Sequence, residues 1–177
     1  MGGKMKRGKY FQGIGAGIFI LALLVAGCGK KPEAVTGDNL EIKSLGEFAH
    51  ILEEYPNGVL ANRSGENLRT QIMTFSFVEG NRAYFCTTND KPLYAQLTAF
   101  PNVSYCTFPP DFEPVLSING KVVFVEDRAQ KEQALESNYY AKRNFKSVDN
   151  PLLAVFYIDA EEIETYDFEG PNVYAVK

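Results

Sequence analysis

The sequence has few of the side chains on which enzymes usually build acid–base and metal chemistry. Its 177 residues include one histidine, His50, no tryptophan and three cysteines. A Ser-His-Asp or Cys-His catalytic unit would have to use His50, which lies in a predicted helix without a recognisable nucleophile nearby. Clustered histidine and cysteine ligands for zinc are also lacking. We therefore expect no metal site, and no catalytic side chain is assigned.

Glycine-rich phosphate-binding motifs are lacking too. The sequence has neither a Walker loop nor a dinucleotide-binding fingerprint, because the glycines of GIGAGIF belong to an N-terminal apolar run. The acidic pairs Glu53-Glu54 and Glu161-Glu162 are typical of solvated faces. A chain this poor in acid–base groups is more consistent with reactivity supplied by a cofactor.

The N-terminus is typical of a bacterial export signal. Basic residues up to Lys9 precede the apolar run 14–26, which is shorter than the roughly 20 residues of a membrane-spanning helix. The run ends in VAGC at residues 25–28, which resembles the lipobox of bacterial lipoproteins. We predict a signal peptide at 1–27, cleavage before Cys28 and lipidation of its thiol, which would anchor the protein to a bacterial membrane outside the cytoplasm. A simple signal anchor is the alternative.

The remainder of the chain is acidic. Without residues 1–27 it holds 14 basic and 22 acidic residues, a formal charge of −8, which argues against nucleic acid as a partner. Residues 28–40 are small and polar after the lipidated cysteine, as in a flexible tether. Residues 41–177 are long enough for one domain with a single core.

Two further cysteines, Cys86 and Cys106, each lie in the middle of an apolar segment. Their spacing does not match a zinc pattern. They are interpreted as small buried hydrophobes, with a disulfide as the alternative because an exported domain can form one.

Alternation of apolar and polar residues predicts an antiparallel β-protein. Period-two segments separated by turns are found at 58–63, 68–78, 82–88, 102–108 and 115–126, and a final strand or bent strand pair at 152–168. Asn119-Gly120 predicts a bulge or bend. Helices are predicted at 45–55 behind a capping box, at 91–100, and from Asp127 to about Ser137. About six strands with two or three helices predict a small closed or nearly closed barrel.

The stretch YFCTTNDKP, residues 84–92, places polar groups where a strand meets a helix. Asn89 or Asp90 is the predicted N-cap of a helix that begins at Lys91. Free backbone N–H groups at such a helix start, together with Thr87, Thr88 and the charge of Lys91, favour an anion.

The preceding strand adds an arginine to this cluster. Arg69, Gln71 and Met73 alternate on one of its faces, and residues 70, 72 and 74 on the other. Arginine and lysine combined with hydroxyls and a helix start are suited to a phosphate monoester. The alternative is a plain capping turn next to a solvated arginine.

Residues 58–108, from GVLANR to NVSYCTF, resemble the pyridoxamine 5′-phosphate oxidase-like family, the flavin-binding split β-barrels. In that family's pattern an arginine-containing second strand precedes an aromatic third strand that ends in threonine and asparagine, followed by a lysine, a helix and a fourth strand. INGKVVFVED and NPLLAVFYIDAEEIETYDF resemble the later strands, so the similarity covers roughly residues 44–168. It implies a mostly β (α+β) fold, an antiparallel split barrel of six or seven strands with two or three peripheral helices.

The resemblance also implies a homodimer that binds FMN at two sites between its subunits. By position, Arg69 and Lys91 would hold the phosphate, Thr87 and Thr88 would add hydrogen bonds, and the 71–74 backbone would run beside the isoalloxazine ring. Met73 would contact that ring or pack in the core. The implied cofactor-binding residues are Arg69, Thr70, Gln71, Ile72, Met73, Thr74, Thr87, Thr88 and Lys91.

The activity that the resemblance implies is an FMN-dependent oxidoreductase acting on a small-molecule redox substrate. The tail YDFEGPNVYAVK has no counterpart of the arginine- and histidine-bearing segment with which the authentic oxidase recognises pyridoxal phosphate, so oxidation of pyridoxamine phosphate is not expected. Two alternatives stay open: a non-catalytic lipoprotein that binds flavin, deazaflavin or haem, and a barrel that has lost its ligand and serves as an interaction module. Haem ranks below flavin because His50 is the only histidine.

Overall fold

The computed structural model describes residues 40–168 and 170–176. The predicted signal peptide, Cys28 and the tether up to residue 39 lie outside the described residues. Within the described ranges, no helix is both long and apolar enough to cross a membrane.

The described chain is mostly β-structure with four α-helices. A 3-10 turn at Leu45–Phe48 leads into the first helix. The elements in chain order are β1 (Glu41–Ile42), α1 (Ala49–Glu54), β2 (Asn57–Ser64), β3 (Asn67–Glu79), β4 (Arg82–Thr88), α2 (Pro92–Ala99), β5 (Asn102–Thr107), β6 (Val115–Phe124), α3 (Arg128–Glu136), α4 (Tyr139–Phe145), β7 (Leu153–Asp167) and β8 (Gly170–Ala175).

Six of the strands close into an antiparallel barrel. Their order is β7-β4-β3-β2-β5-β6, and pairing of β6 with β7 closes the ring. The long strand β7 also pairs along its second half with β8, and β8 in turn pairs in parallel with β1. The predicted fold class, a mostly β antiparallel barrel of six or seven strands, is confirmed.

Aromatic rings contact one another in the barrel interior, edge-to-face for Phe85 and Tyr105 and stacked for Phe85 and Phe156. The ring of Phe85 lies 4.8 Å from that of Tyr105 and 5.4 Å from that of Phe156, centroid to centroid. Because successive side chains of a strand point to opposite faces, Cys86 and Cys106 face outward from strands that β3 and β2 separate. Both thiols are free, so the disulfide alternative is wrong.

Three local predictions are confirmed. The capping box pairs Ser44 with Glu47, and Asp127 caps α3 by accepting a hydrogen bond from Gln130 N at 2.9 Å. The β6–β7 register shifts between Asn119 and Gly120, which is the predicted bulge. Glycine is required there because a Cβ atom would lie 2.2 Å from a carbonyl oxygen of β7.

The two-residue strand β1 was not predicted from the sequence, and neither were two longer elements. The first is α4, whose N-cap Asn138 accepts a hydrogen bond from Ala141 N at 2.9 Å. The second is β8, which turns most of the predicted tail into an outer strand against β7. The first of these forms a wall of the site described next.

Candidate functional site

The barrel is split where β3 and β4 separate. β3 pairs with β4 only between Phe75 and Glu79, with a register shift between Phe75 and Phe77, whereas Asn67–Thr74 pairs with β2 alone among the described strands. The end of β4 remains paired with β7. Between the diverging strands lies a cavity of about 450 Å³, within the roughly 300–1,000 Å³ typical of cofactor and small-molecule sites.

The edge of β3 that borders this cleft presents backbone hydrogen-bonding groups. Phe75 N donates to Pro56 O on the β2 side at 2.7 Å, while Thr74 O accepts from Asn138 Nδ2 at 3.0 Å. Because peptide groups alternate in direction along a strand, the N–H and C=O groups of Ile72 point to the same side as the Thr74 carbonyl. A ligand in the cleft can therefore pair with the main chain of β3.

The facing strand ends in a buried hydroxyl without a partner. Thr88 Oγ1, at the end of β4, is inaccessible to solvent and makes no hydrogen bond with any described residue. Leaving such a group unpaired is costly, and Thr88 also belongs to the lining of the cavity.

The turn from β4 to α2 differs from the sequence-based prediction. The N-cap of α2 is Lys91, with no side-chain capping hydrogen bond, so the prediction of Asn89 or Asp90 as the cap is wrong. Asn89 instead donates through Nδ2 to Pro151 O at 2.8 Å, which fastens the turn to the segment before β7. At the start of α2, Lys91 N donates to Thr88 O at 3.5 Å and Tyr94 N to Lys91 O at 3.0 Å, and Pro92 has no N–H. The exposed Lys91 side chain borders the cavity.

The outer wall of the cavity was missed by the sequence analysis. α4 and the loop after it contribute Asn138, Tyr140, Ala141, Asn144, Phe145, Asn150 and Leu152. The available signal was Asn138, a favoured N-cap residue in front of a seven-residue helix. Among the described residues that line the cavity, Lys91 is the one formally charged side chain, so the site favours an anion with an uncharged body.

Seven of the nine predicted cofactor residues line this cavity, and two do not. Arg69 and Thr70 border a neighbouring cavity of about 380 Å³ together with Gln71, Pro92 and Gln96. Gln71 borders both cavities, and Pro92 opens α2, so Arg69 adjoins the main cleft without lining it. The seven that the structure brings together are Gln71, Ile72, Met73, Thr74, Thr87, Thr88 and Lys91.

Cys86 also lines the cavity, but its thiol is unreactive. Burial raises the pKa of its thiol to about 12, and the contact between its Sγ and Ser76 Oγ at 3.9 Å acts in the opposite direction to a smaller extent. The thiol is therefore neutral at physiological pH, which is unsuited to a nucleophile or a thiolate ligand. His50 is exposed on α1 and is not part of the lining.

Sequence and structure comparisons agree on the relatives of this chain. The family profile described as pyridoxamine 5′-phosphate oxidase matches residues 46–167. No curated protein matches the chain significantly.

Several solved structures share the fold. A nimC/nimA family protein from Clostridium acetobutylicum is 23% identical, with a TM-score of 0.63 over 72% of this chain and 91% of that one. A putative pyridoxamine 5′-phosphate oxidase from Listeria innocua is 26% identical, with a TM-score of 0.59 over 68% and 95%. A heme binding protein from Mycobacterium smegmatis is 15% identical, with a TM-score of 0.61 over 71% and 55%.

Proposed function

The chain belongs to the pyridoxamine 5′-phosphate oxidase family, and we propose from this that it binds FMN in the cleft between β3 and β4 and acts as an FMN-dependent oxidoreductase on a small molecule. The observation that carries the proposal is the buried Thr88 hydroxyl without a partner, in a cavity that Lys91 also lines. A hydroxyl and an ammonium group are together suited to a phosphate monoester.

The phosphate end of FMN would lie where β4 meets α2. Lys91 would supply the positive charge, and Thr87 and Thr88 the hydroxyls. Arg69, in the adjoining cavity, would strengthen the field and could reach a phosphate oxygen as a bidentate donor.

The ring end of FMN would lie along β3. The backbone N–H and C=O groups of Ile72 can donate to and accept from the imide edge of a flavin, and Met73 borders the same space. Tyr140 and Phe145 of α4 would cover the ring from outside and exclude water. The bound flavin supplies hydride or single-electron transfer, and the protein supplies its position and electrostatic environment.

A non-catalytic flavin- or haem-binding protein is the second candidate, supported by the name of the mycobacterial relative. Haem iron needs an axial ligand, usually histidine, thiolate or tyrosinate. His50 does not line the cavity, and the Cys86 thiol is neutral. Tyr140 is the remaining axial ligand of these kinds among the described residues that line the cavity, so a haem site here would depend on this tyrosine.

We also propose that the protein is a homodimer through the open side of β3. Leu68 and Ile72 are 83% and 81% exposed on this strand, next to the cleft, and large apolar side chains in this position are typical of an interface. Light scattering of the wild type and of Leu68→Glu tests this, because the variant should be monomeric. Phe168→Glu, which changes another apolar residue that is 72% exposed, is the matched control and should leave the mass unchanged.

Membrane attachment through Cys28 is proposed from the sequence pattern alone. Cell fractionation of wild type and Cys28→Ala tests it, because the variant should lose its lipid and leave the lipoprotein fraction. An equal distribution of the two proteins would contradict the proposal.

The visible absorption spectrum of the full-length protein, purified in detergent and then titrated with FMN, tests the cofactor. A flavin spectrum with near-stoichiometric FMN supports the proposal, whereas a Soret band supports the haem alternative. A colourless protein that binds neither added FMN nor added haem contradicts both. With flavin bound, anaerobic reduction by a nicotinamide donor followed by reoxidation with small-molecule acceptors separates an enzyme from a carrier.

A further inference from the structure

Asn138 occupies the narrow end of the cleft, where β3 and β4 come together. Its side chain is 3% exposed and uses both ends of its amide. Nδ2 donates to Thr74 O at 3.0 Å and to Ser76 Oγ at 3.3 Å, and Oδ1 accepts from Ala141 N at 2.9 Å. One buried amide therefore joins the edge of β3 to the first turn of α4.

The bond to Thr74 O determines which backbone groups remain available to a ligand. Counted from the narrow end, the Thr74 carbonyl is the first acceptor that β3 directs into the cleft, and Asn138 occupies it. The next C=O and N–H groups in this row that belong to one residue are those of Ile72. A flat ligand that pairs with the N–H and the C=O of one residue of β3 is therefore expected to pair with Ile72, two residues along the strand from Thr74.

The bond to Ala141 N determines the position of the opposite wall. Because Asn138 caps α4 while it holds β3, the first turn of α4, which carries Tyr140, is tied to the strand edge. The placement of α4 against β3 and the choice of Ile72 as the ligand's backbone partner therefore depend on the same side chain, that of Asn138.

We propose that Asn138 is the positioning residue for the ring of the bound flavin: it blocks the Thr74 carbonyl, directs the ring's polar edge to Ile72 and fixes the α4 wall over it. This inference rests on the proposed binding of FMN in this cleft. It concerns the ring end of the ligand, whereas Lys91 and Thr88 concern the phosphate end.

Two variants, Asn138→Asp and Asn138→Ser, separate the two bonds. Both residues are good N-caps and keep the bond to Ala141 N, but neither can donate to Thr74 O as the amide does. Affinities for FMN and for riboflavin, which lacks the phosphate, are measured by flavin absorbance titration of the full-length protein. We expect both variants to bind both flavins about tenfold more weakly, because the start of α4 and the edge of β3 are no longer held in place before binding. The visible band of the bound flavin should change in position or fine structure.

Lys91→Ala and Ser76→Ala are the comparison variants. Lys91→Ala should weaken FMN binding and leave riboflavin binding unchanged, because it acts on the phosphate. Ser76→Ala removes the second partner of Asn138 Nδ2 and keeps the bond to Thr74 O, so it should lower the melting temperature without changing the flavin spectrum.

The outcomes distinguish this inference from the proposed function. If the wild type binds FMN and both Asn138 variants match its affinities and spectrum, the positioning role is refuted while the flavin site stands. If Ser76→Ala changes the spectrum as much as Asn138→Ser does, the effect comes from general loosening and the positioning role is again refuted. If the wild type binds neither flavin, the proposed function fails, and with it the inference that rests on it.

Discussion

Replacing Thr88 by valine should make the empty protein more stable and the flavin complex weaker. Valine has nearly the shape of threonine, so the change removes the Oγ1 hydroxyl and little else. That oxygen is buried without a partner, and an unpaired buried hydroxyl costs about 1–3 kcal/mol. We therefore expect the free energy of unfolding of the FMN-free variant to rise by about 1 kcal/mol or more.

The same change should reduce the affinity for FMN. A hydrogen bond from a hydroxyl to a charged phosphate contributes about 1.5–3 kcal/mol, which corresponds to roughly a tenfold to hundredfold increase in Kd. A gain in stability combined with a loss of binding identifies a polar group that is unpaired in the empty protein and forms a hydrogen bond with the ligand. An ordinary core residue would not give this combination.

Urea unfolding of the FMN-free protein and titration with FMN measure the two quantities, and Thr107→Val is the matched control. Thr107 is fully buried like Thr88 Oγ1, but its hydroxyl donates to Tyr55 O at 2.5 Å and lies 3.1 Å from Asn57 O. Thr107→Val should therefore lower stability by about 1–3 kcal/mol and leave the Kd for FMN unchanged. If Thr88→Val also destabilises the empty protein, its hydroxyl has a partner in solution and the reasoning is wrong.

Three further predictions concern other parts of the chain. Changing Arg69 and Lys91 together to alanine should abolish retention of FMN with an unchanged circular dichroism spectrum and melting curve, since both side chains are exposed; a large loss of melting temperature would contradict this. Burial raises the pKa of the Cys86 thiol from 9.0 to about 12, so mass spectrometry should show it resistant to iodoacetamide in the folded protein and reactive in urea. The difference in thiol pKa between the folded and the unfolded chain contributes fully to stability below pH 9. This contribution is lost as the pH rises toward 12, because the thiol of the unfolded chain loses its proton at a lower pH. Rapid labelling of the folded state would refute this. Gly120→Ala should lower the free energy of unfolding by about 1–3 kcal/mol because its Cβ would meet backbone at 2.2 Å; an unchanged urea curve would show that the bulge relaxes.

The strands were predictable because each alternates residues between the core and the outside. β2, β5 and β6 follow this pattern closely, and the bulge at Asn119-Gly120 could be located because glycine in a strand interior indicates a close approach of the backbone. β8 could not be found in the same way. It is an outer strand whose residues are all exposed or half-buried, so it carries little periodicity.

The site was only partly predictable, because the sequence shows which groups are present and not which of them are already used. Asparagine is a favoured N-cap residue, yet the side-chain amide of Asn89 donates to Pro151 O, a contact between residues 62 positions apart. Asn138 looked like one polar residue in a poorly patterned segment, and only the fold brings it to Thr74 and Ser76. The splitting of β3 from β4, which creates the cleft, depends on a register shift that no local pattern encodes.

The open edge of β3 has a consequence for how the protein behaves before it is loaded. Exposed strand edges with unsatisfied main-chain groups and apolar side chains nearby promote edge-to-edge association between molecules. Leu68 and Ile72 flank this edge with their side chains largely in solvent. A ligand that pairs with the same edge would also mask it, so ligand binding would protect the empty protein against edge-to-edge association.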